Sequence, residues 1–146
     1  MKIPLLDLSR QYETIKEEIN RAVLDVLAGG RYILGENVKR LEQEVAAYTG
    51  VPHAVGVANG SDALYLALLA LGIGPGDEVI VPAFTFFAIA GAVAHTGAIP
   101  VFADIKPDSY NIDPLDVEKK ITGRTRAFLI FFLKRNVKRI YNELSW

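Results

Sequence analysis

An α/β fold with a mostly parallel sheet flanked by helices is predicted by three features of the chain. Short apolar runs of strand length alternate with helical segments from Ala54 to Leu133. Glycine and proline punctuate nearly every junction, as at Gly72-Ile-Gly-Pro-Gly-Asp77. Third, Ala54–Leu71 (AVGVANGSDALYLALLAL) reads as strand, small-residue turn and helix, the unit from which parallel sheets are assembled. At 146 residues the chain has one-domain length and can bury a core.

Composition narrows the functional classes. A formal net charge of −1 provides no electrostatic footprint for nucleic acid or an acidic membrane surface. The chain has no cysteine, which excludes disulfides and thiolate metal sites, and its two histidines, His53 and His95, stand far apart. Both are read as structural, and no metal site is expected. MKIPLLDLSRQYE lacks the apolar core of a signal peptide, and no apolar run approaches the ~18 residues of a membrane span. A cytoplasmic protein fits these features.

Each element has its local reason. Lys2 to Ser9, with Pro4, reads as an extended lead-in. From Arg10 to Leu27, residues Tyr12, Ile15, Ile19, Ala22, Val23, Val26 and Leu27 keep helical spacing, and Gly29-Gly30 supplies a stop. Arg31-Tyr-Ile-Leu-Gly35 is a connector that either packs on the core or contacts a ligand. A second helix carries Val38, Leu41, Val45 and Tyr48 on one stripe and ends at Gly50. Ala54–Ala58 is expected to be a strand, and the helix running to Leu71 is apolar nearly all round, which predicts burial. Glu78–Val81 is a strand closed by Pro82. A helix of small residues then reaches His95 and stops at Gly97. Ile99–Ala103 is the next strand, Asp113-Pro114 starts a short helix reaching Lys120, and Arg126–Leu133 is a last strand.

Ligands of parallel sheets bind beyond the C-terminal ends of the strands. The turns Asn59–Asp62 and Pro82–Phe87 and the side chain of Asp104 are expected to share that rim. The unpaired N–H groups at the start of the helix after Asn59 suit an anion such as phosphate. Gly60 would permit close approach and Ser61 could add a hydroxyl. The competing reading is that Ser61 or Asp62 only caps the helix. A flat phosphorylated ligand could stack on Phe84, Phe86 or Phe87, although aromatics after a strand are usually core, and at least two of the three are expected there. Asp104 is read as a cap or turn residue. The GIGPGD run is not a dinucleotide fingerprint: Asp77 occupies its last position, and it follows a helix.

The ordered set GGRYILGENVKRLEQEVAAYTGVPHAVGVANGSDALYLALLALGIGPGDEVIVPAFTFFA resembles the DegT/DnrJ/EryC1/StrS family of sugar aminotransferases. The resemblance runs from PLLDLSRQY to about Arg126. It implies the N-terminal part of the large domain of a fold type I pyridoxal 5′-phosphate (PLP) enzyme. Gly60, Ser61 and Asp62 match the turn that holds the cofactor phosphate, mainly through N–H groups. Phe86 matches the aromatic stacked on the pyridine ring, and Tyr32 a position facing the sugar nucleotide. Ile89 departs from the threonine usual near that place. The implied reaction moves an amino group, usually from glutamate, to a nucleotide-linked keto-sugar in amino-sugar, polysaccharide or antibiotic-sugar biosynthesis. PLP is the electron sink and a homodimer the working unit.

The resemblance stops after ITGRTRA, where FLIFFLKRNVKRIYNELSW follows. None of Lys2, Lys16, Lys39, Lys106, Lys119, Lys120, Lys134 or Lys138 lies in the family's Schiff-base motif, and the aspartate for the pyridine nitrogen is missing too. No catalytic residue is therefore assigned. The expectation is a cofactor-binding part, residues 1–133, inactive alone and cut short by a frameshift or stop, with an atypical tail, residues 134–146. Val137, Ile140, Tyr141 and Leu144 form a modest helical stripe in that tail. A related dehydratase, or a non-catalytic module binding PLP or a sugar nucleotide for regulation, is the alternative. A nicotinamide-dependent enzyme lacks its glycine fingerprint.

Overall fold

A computed structural model describes residues 6–130. These fall into two compact units divided between Gly56 and Val57. The tail at 134–146 and the end of the last predicted strand lie outside the described residues.

In the first unit, α1 spans Leu8–Gly29. It starts two residues before the predicted Arg10 because Asp7 caps it, accepting the Ser9 N–H at 3.1 Å. The extended lead-in therefore ends before Leu8. Gly30, at φ 63°, closes α1 by donating its N–H to the Val26 and Leu27 carbonyls, a left-handed step that glycine takes at little cost. α2 spans Glu36–Thr49 and stops at Gly50, φ 72°. The predicted stripes are helical, yet Val23, Leu27, Leu41, Val45 and Tyr48 are exposed and only Ala46 of α2 is buried. The connector is not packed in a core either, since Tyr32, Ile33 and Leu34 are all exposed.

The second unit holds α3 (Gly60–Ala70), β1 (Glu78–Pro82), α4 (Ala88–His95), β2 (Ile99–Ala103), α5 (Pro114–Lys120) and β3 (Thr125–Phe128). The strands form a parallel sheet in the order β2-β1-β3, with Glu78 opposite Ile99 and Pro82 opposite Ala103. β1 is central and buried throughout, as an unbroken EVIVP run between two helical layers should be. Its side chains alternate between the two faces. Val79 and Val81 pack with Leu68 of α3 and Ile89 and Val93 of α4, while Ile80 packs with Val117 of α5 and with Ile112 of the loop before it.

Two expectations fail. Ala54–Ala58 forms no strand. A strand exists only by pairing, and among the described residues neither sheet edge is bonded to this run. The all-round apolar α3 is not buried either: Leu68 is, but Leu66, Leu69 and Leu71 are exposed. α4 and the sheet pack against the Leu68 side of α3.

The sheet's N-terminal edge is tied by charge. Glu78, only 4% exposed, accepts the Thr122 hydroxyl at 2.5 Å and pairs with the Arg124 guanidinium. Beside it, Asp77 accepts the Gly74 N–H at 3.0 Å and Arg126 Nε at 3.3 Å. The Gly74 N–H, with Arg126 adding to it and partial desolvation opposing, holds the Asp77 carboxyl below its ordinary value. A carboxyl lowered by folding contributes stability above its unfolded value, near pH 4, and loses it as pH falls through the folded value. Asp77→Asn is therefore expected to lower the urea midpoint at pH 7, with the gap from the parent narrowing at pH 3. An equal gap at both values would show that the charge is not what matters.

Candidate functional site

The C-terminal ends of β1 and β2 are fastened by the Ala83 N–H, which donates to the Ala103 carbonyl at 2.8 Å. Chain leaving β1 crosses this rim as Ala83–Phe87 before α4 begins at Ala88. Here the structure corrects the sequence reading. Phe84, Phe86 and Phe87 are 55%, 76% and 81% exposed, so none of the three is core. They precede the first turn of α4, whose inward face is made by Ile89, Ala92 and Val93 instead. Phe87 lies along its own helix, where a Cβ on Gly91 would meet its ring at 3.3 Å. Thr85 points the other way, and its Oγ1 is buried with no partner among the described residues.

α3 supplies the second part of the rim. Its C-terminal end feeds, through the turn at Gly72–Asp77, the N-terminal end of β1, so its first turn lies back toward the end where β1 finishes. The cap is Asn59, not Ser61 or Asp62. Asn59 Oδ1 accepts the Asp62 N–H at 2.9 Å, and Asn59 Nδ2 donates to Asp62 Oδ2 at 3.0 Å. Asparagine is among the strongest N-cap types, and an acid three residues on is a familiar companion, so this signal was available. With Asp62 N–H engaged, no acceptor among the described residues meets the N–H groups of Gly60 and Ser61. The Ser61 side chain is exposed, and a Cβ on Gly60 would meet nothing within 4 Å. Two open donors, a hydroxyl and the positive end of a helix dipole suit a phosphate.

The remaining candidates separate. Asp104 Oδ1 accepts the Ile105 N–H at 2.7 Å, a turn role as expected. Its own N–H donates to Asp116 Oδ2 at 2.7 Å, and this bond, with Lys120 and Lys119 adding and desolvation opposing, keeps the Asp116 carboxyl below its ordinary value. His95 packs edge-on against Tyr65 with ring centroids 5.9 Å apart. Tyr32 belongs to the first unit, where its hydroxyl donates to the Leu27 carbonyl at 3.2 Å. No helix among the described residues is long and apolar enough to cross a membrane. Sequence reasoning missed Tyr110, whose ring lies 5.6 Å from that of Phe84. Nothing in SYNID marked it.

The profile of the DegT/DnrJ/EryC1/StrS aminotransferase family matches residues 13–133. A pleiotropic regulatory protein of Geobacillus stearothermophilus is 54% identical over 129 residues, which is 88% of this chain and 35% of that one. The dTDP-3-amino-3,4,6-trideoxy-alpha-D-glucose transaminase of Streptomyces venezuelae is 52% identical over 128 residues, 88% of this chain and 34% of that one. The crystal structure of S. venezuelae DesV in complex with a ketimine intermediate superposes with a TM-score of 0.91 at 47% identity, covering 97% of this chain and 39% of DesV. The chain thus spans about a third of the length of the curated relatives it matches.

Proposed function

Since this chain belongs to the DegT/DnrJ/EryC1/StrS aminotransferase family, we propose that it supplies the phosphate grip and ring platform of a PLP-dependent nucleotide-sugar aminotransferase. The observation that carries this reading is the pair of open N–H donors at the start of α3, on the same rim as an exposed Phe86.

The residues present fit the cofactor. Gly60 and Ser61 hold its phosphate through their N–H groups and the Ser61 hydroxyl, with the helix dipole adding attraction. Asp62 contributes by tying Asn59, which keeps the first turn of α3 shaped. Phe86 covers one face of the pyridine ring and excludes water from it. When bound, PLP supplies the electron sink for amino transfer. The amino acceptor is a nucleotide-linked keto-sugar, a class supported by the dTDP-linked amino sugar in the name of the S. venezuelae transaminase, and the donor is glutamate. Tyr32 is assigned to the substrate side, and the working form is a homodimer.

Pyridoxamine phosphate tests this reading cleanly, because it carries the same ring and phosphate but no aldehyde to react with surface lysines. The parent chain is expected to bind it in a fluorescence titration. Phe86→Ala should weaken binding roughly five-fold, the equivalent of about 1 kcal/mol of aromatic contact. No binding at millimolar ligand, or equal binding by Phe86→Ala, would overturn the assignment.

A non-catalytic regulatory module is the second reading, and the regulatory name of the 54% identical relative favours it. Such a module would bind pyridoxamine phosphate and leave its absorbance unchanged on addition of a nucleotide-linked keto-sugar even when a separate chain carrying the family's Schiff-base lysine is supplied, whereas the first reading expects a change.

A further inference from the structure

We propose that Tyr110 is a positioning residue: by bracing Phe84, it sets the pose of the Ala83–Phe87 segment and so of the Phe86 ring. This deepens the cofactor assignment above and rests on it for its functional consequence.

Tyr110 sits in the loop that leaves β2, at the same end of the sheet as the Ala83–Phe87 segment. The loop is closed at its base by an antiparallel bridge between Ile105 and Ile112, and the Asp113 N–H donates to the Asp104 carbonyl at 2.8 Å. Inside it, the Lys106 N–H donates to the Asn111 carbonyl at 2.9 Å and the Tyr110 N–H to the Lys106 carbonyl at 2.8 Å. Asn111 and Ile112 are buried and anchor the far side. Held in this way, Tyr110 takes φ 58°, a left-handed conformation that a bulky aromatic rarely adopts. Such a residue persists only where its surroundings over-determine it, and these residues gather at ligand clamps.

The left-handed step delivers the Tyr110 ring to Phe84, with planes inclined at 43°. Phe84 and Tyr110 each stay about half exposed, and neither belongs to a hydrophobic cluster of the core. What it does is hold the middle of a short span. Ala83 is fixed to Ala103, and the Ile89 N–H donates to the Phe86 carbonyl at 3.2 Å. Between those fixed points, the ring contact with Tyr110 restrains Phe84, two residues before Phe86.

Two variants of the full chain separate positioning from general stability. Tyr110→Gly accepts the positive φ without strain but removes the ring, whereas Tyr110→Phe keeps the ring. In amide hydrogen exchange, Tyr110→Gly is expected to speed exchange at Ala83 and Ile89 by about two- to ten-fold, the span of one aromatic pair. Exchange at Val79–Val81 should not change, and Tyr110→Phe should match the parent throughout. Pyridoxamine phosphate affinity should fall by a similar factor in Tyr110→Gly and be retained in Tyr110→Phe. Unaltered exchange at Ala83 and Ile89, or acceleration spread equally into Val79–Val81, would overturn the proposal. If the parent itself failed to bind the ligand, the cofactor assignment would fall, and the exchange result would still decide the role of Tyr110.

Discussion

Ser61→Asp is expected to bind pyridoxamine phosphate at least ten-fold more weakly than the parent while unfolding at the same or a higher urea concentration. The two effects have opposite signs because the same helix end is involved in both. A carboxylate in the first turn of α3 faces the positive end of the helix dipole, an arrangement that stabilises by about 0.3–1 kcal/mol. Against a phosphate held on the Gly60 and Ser61 N–H groups, that carboxylate becomes a like charge at close range. Two unit charges ~4 Å apart interact by roughly 4 kcal/mol at an effective dielectric constant near 20. Salt and water reduce this, but about 1.4 kcal/mol already gives ten-fold. Ser61→Ala, which deletes only the hydroxyl, should cost about 1 kcal/mol of binding. Should Ser61→Asp bind as well as the parent, the phosphate does not sit at the start of α3.

Ile80→Ala is expected to lower stability by about 2–5 kcal/mol, read as a lower urea midpoint. Ile80 is fully buried in the central strand, opposite Val101 of β2 and Phe128 of β3. Its carbonyl accepts the Leu129 N–H at 2.9 Å, and its side chain fills the face closed by Ile112 and Val117. Truncation leaves a cavity where neighbours from two strands and a helix converge and cannot all close in. The loss is comparable to the whole stability of a small domain, so the variant could fail to show a cooperative transition. Ile80→Val keeps the protein measurable and should cost about 0.5–1.5 kcal/mol. Leu66→Ala, on the exposed side of α3, should stay within about 0.5 kcal/mol of the parent. A loss at Leu66 as large as that at Ile80 would show that Leu66 is packed in the protein in solution.

Much of the architecture was legible. The glycine stops at Gly30 and Gly50, the Asp113-Pro114 helix start and the unbroken β1 run all stand where local chemistry puts them. The parallel sheet followed from the alternation of strands and helices. In the candidate site, the open helix start at Gly60 and Ser61 was legible from the turn and the apolar helix after it, although the strand expected before them does not form, whereas the identity of the cap and the contact of Tyr110 with Phe84 were not. Asn59 was passed over because Ser61 and Asp62 are equally plausible caps by type, and only the backbone geometry chooses among them.

The sequence by itself determined where α1, α2 and α5 are punctuated, that the sheet is parallel, and which family's motifs the chain carries. Caps, breakers and periodicity act through neighbours along the chain, so the residues alone encode them. The tertiary structure decided what depends on partners distant in sequence. It left Ala54–Ala58 without a strand to bond, kept Phe84, Phe86 and Phe87 out of the core, and brought Tyr110 to Phe84 across 26 positions of chain. Pairing and burial are properties of what lies opposite, and nothing local to a residue states what that will be.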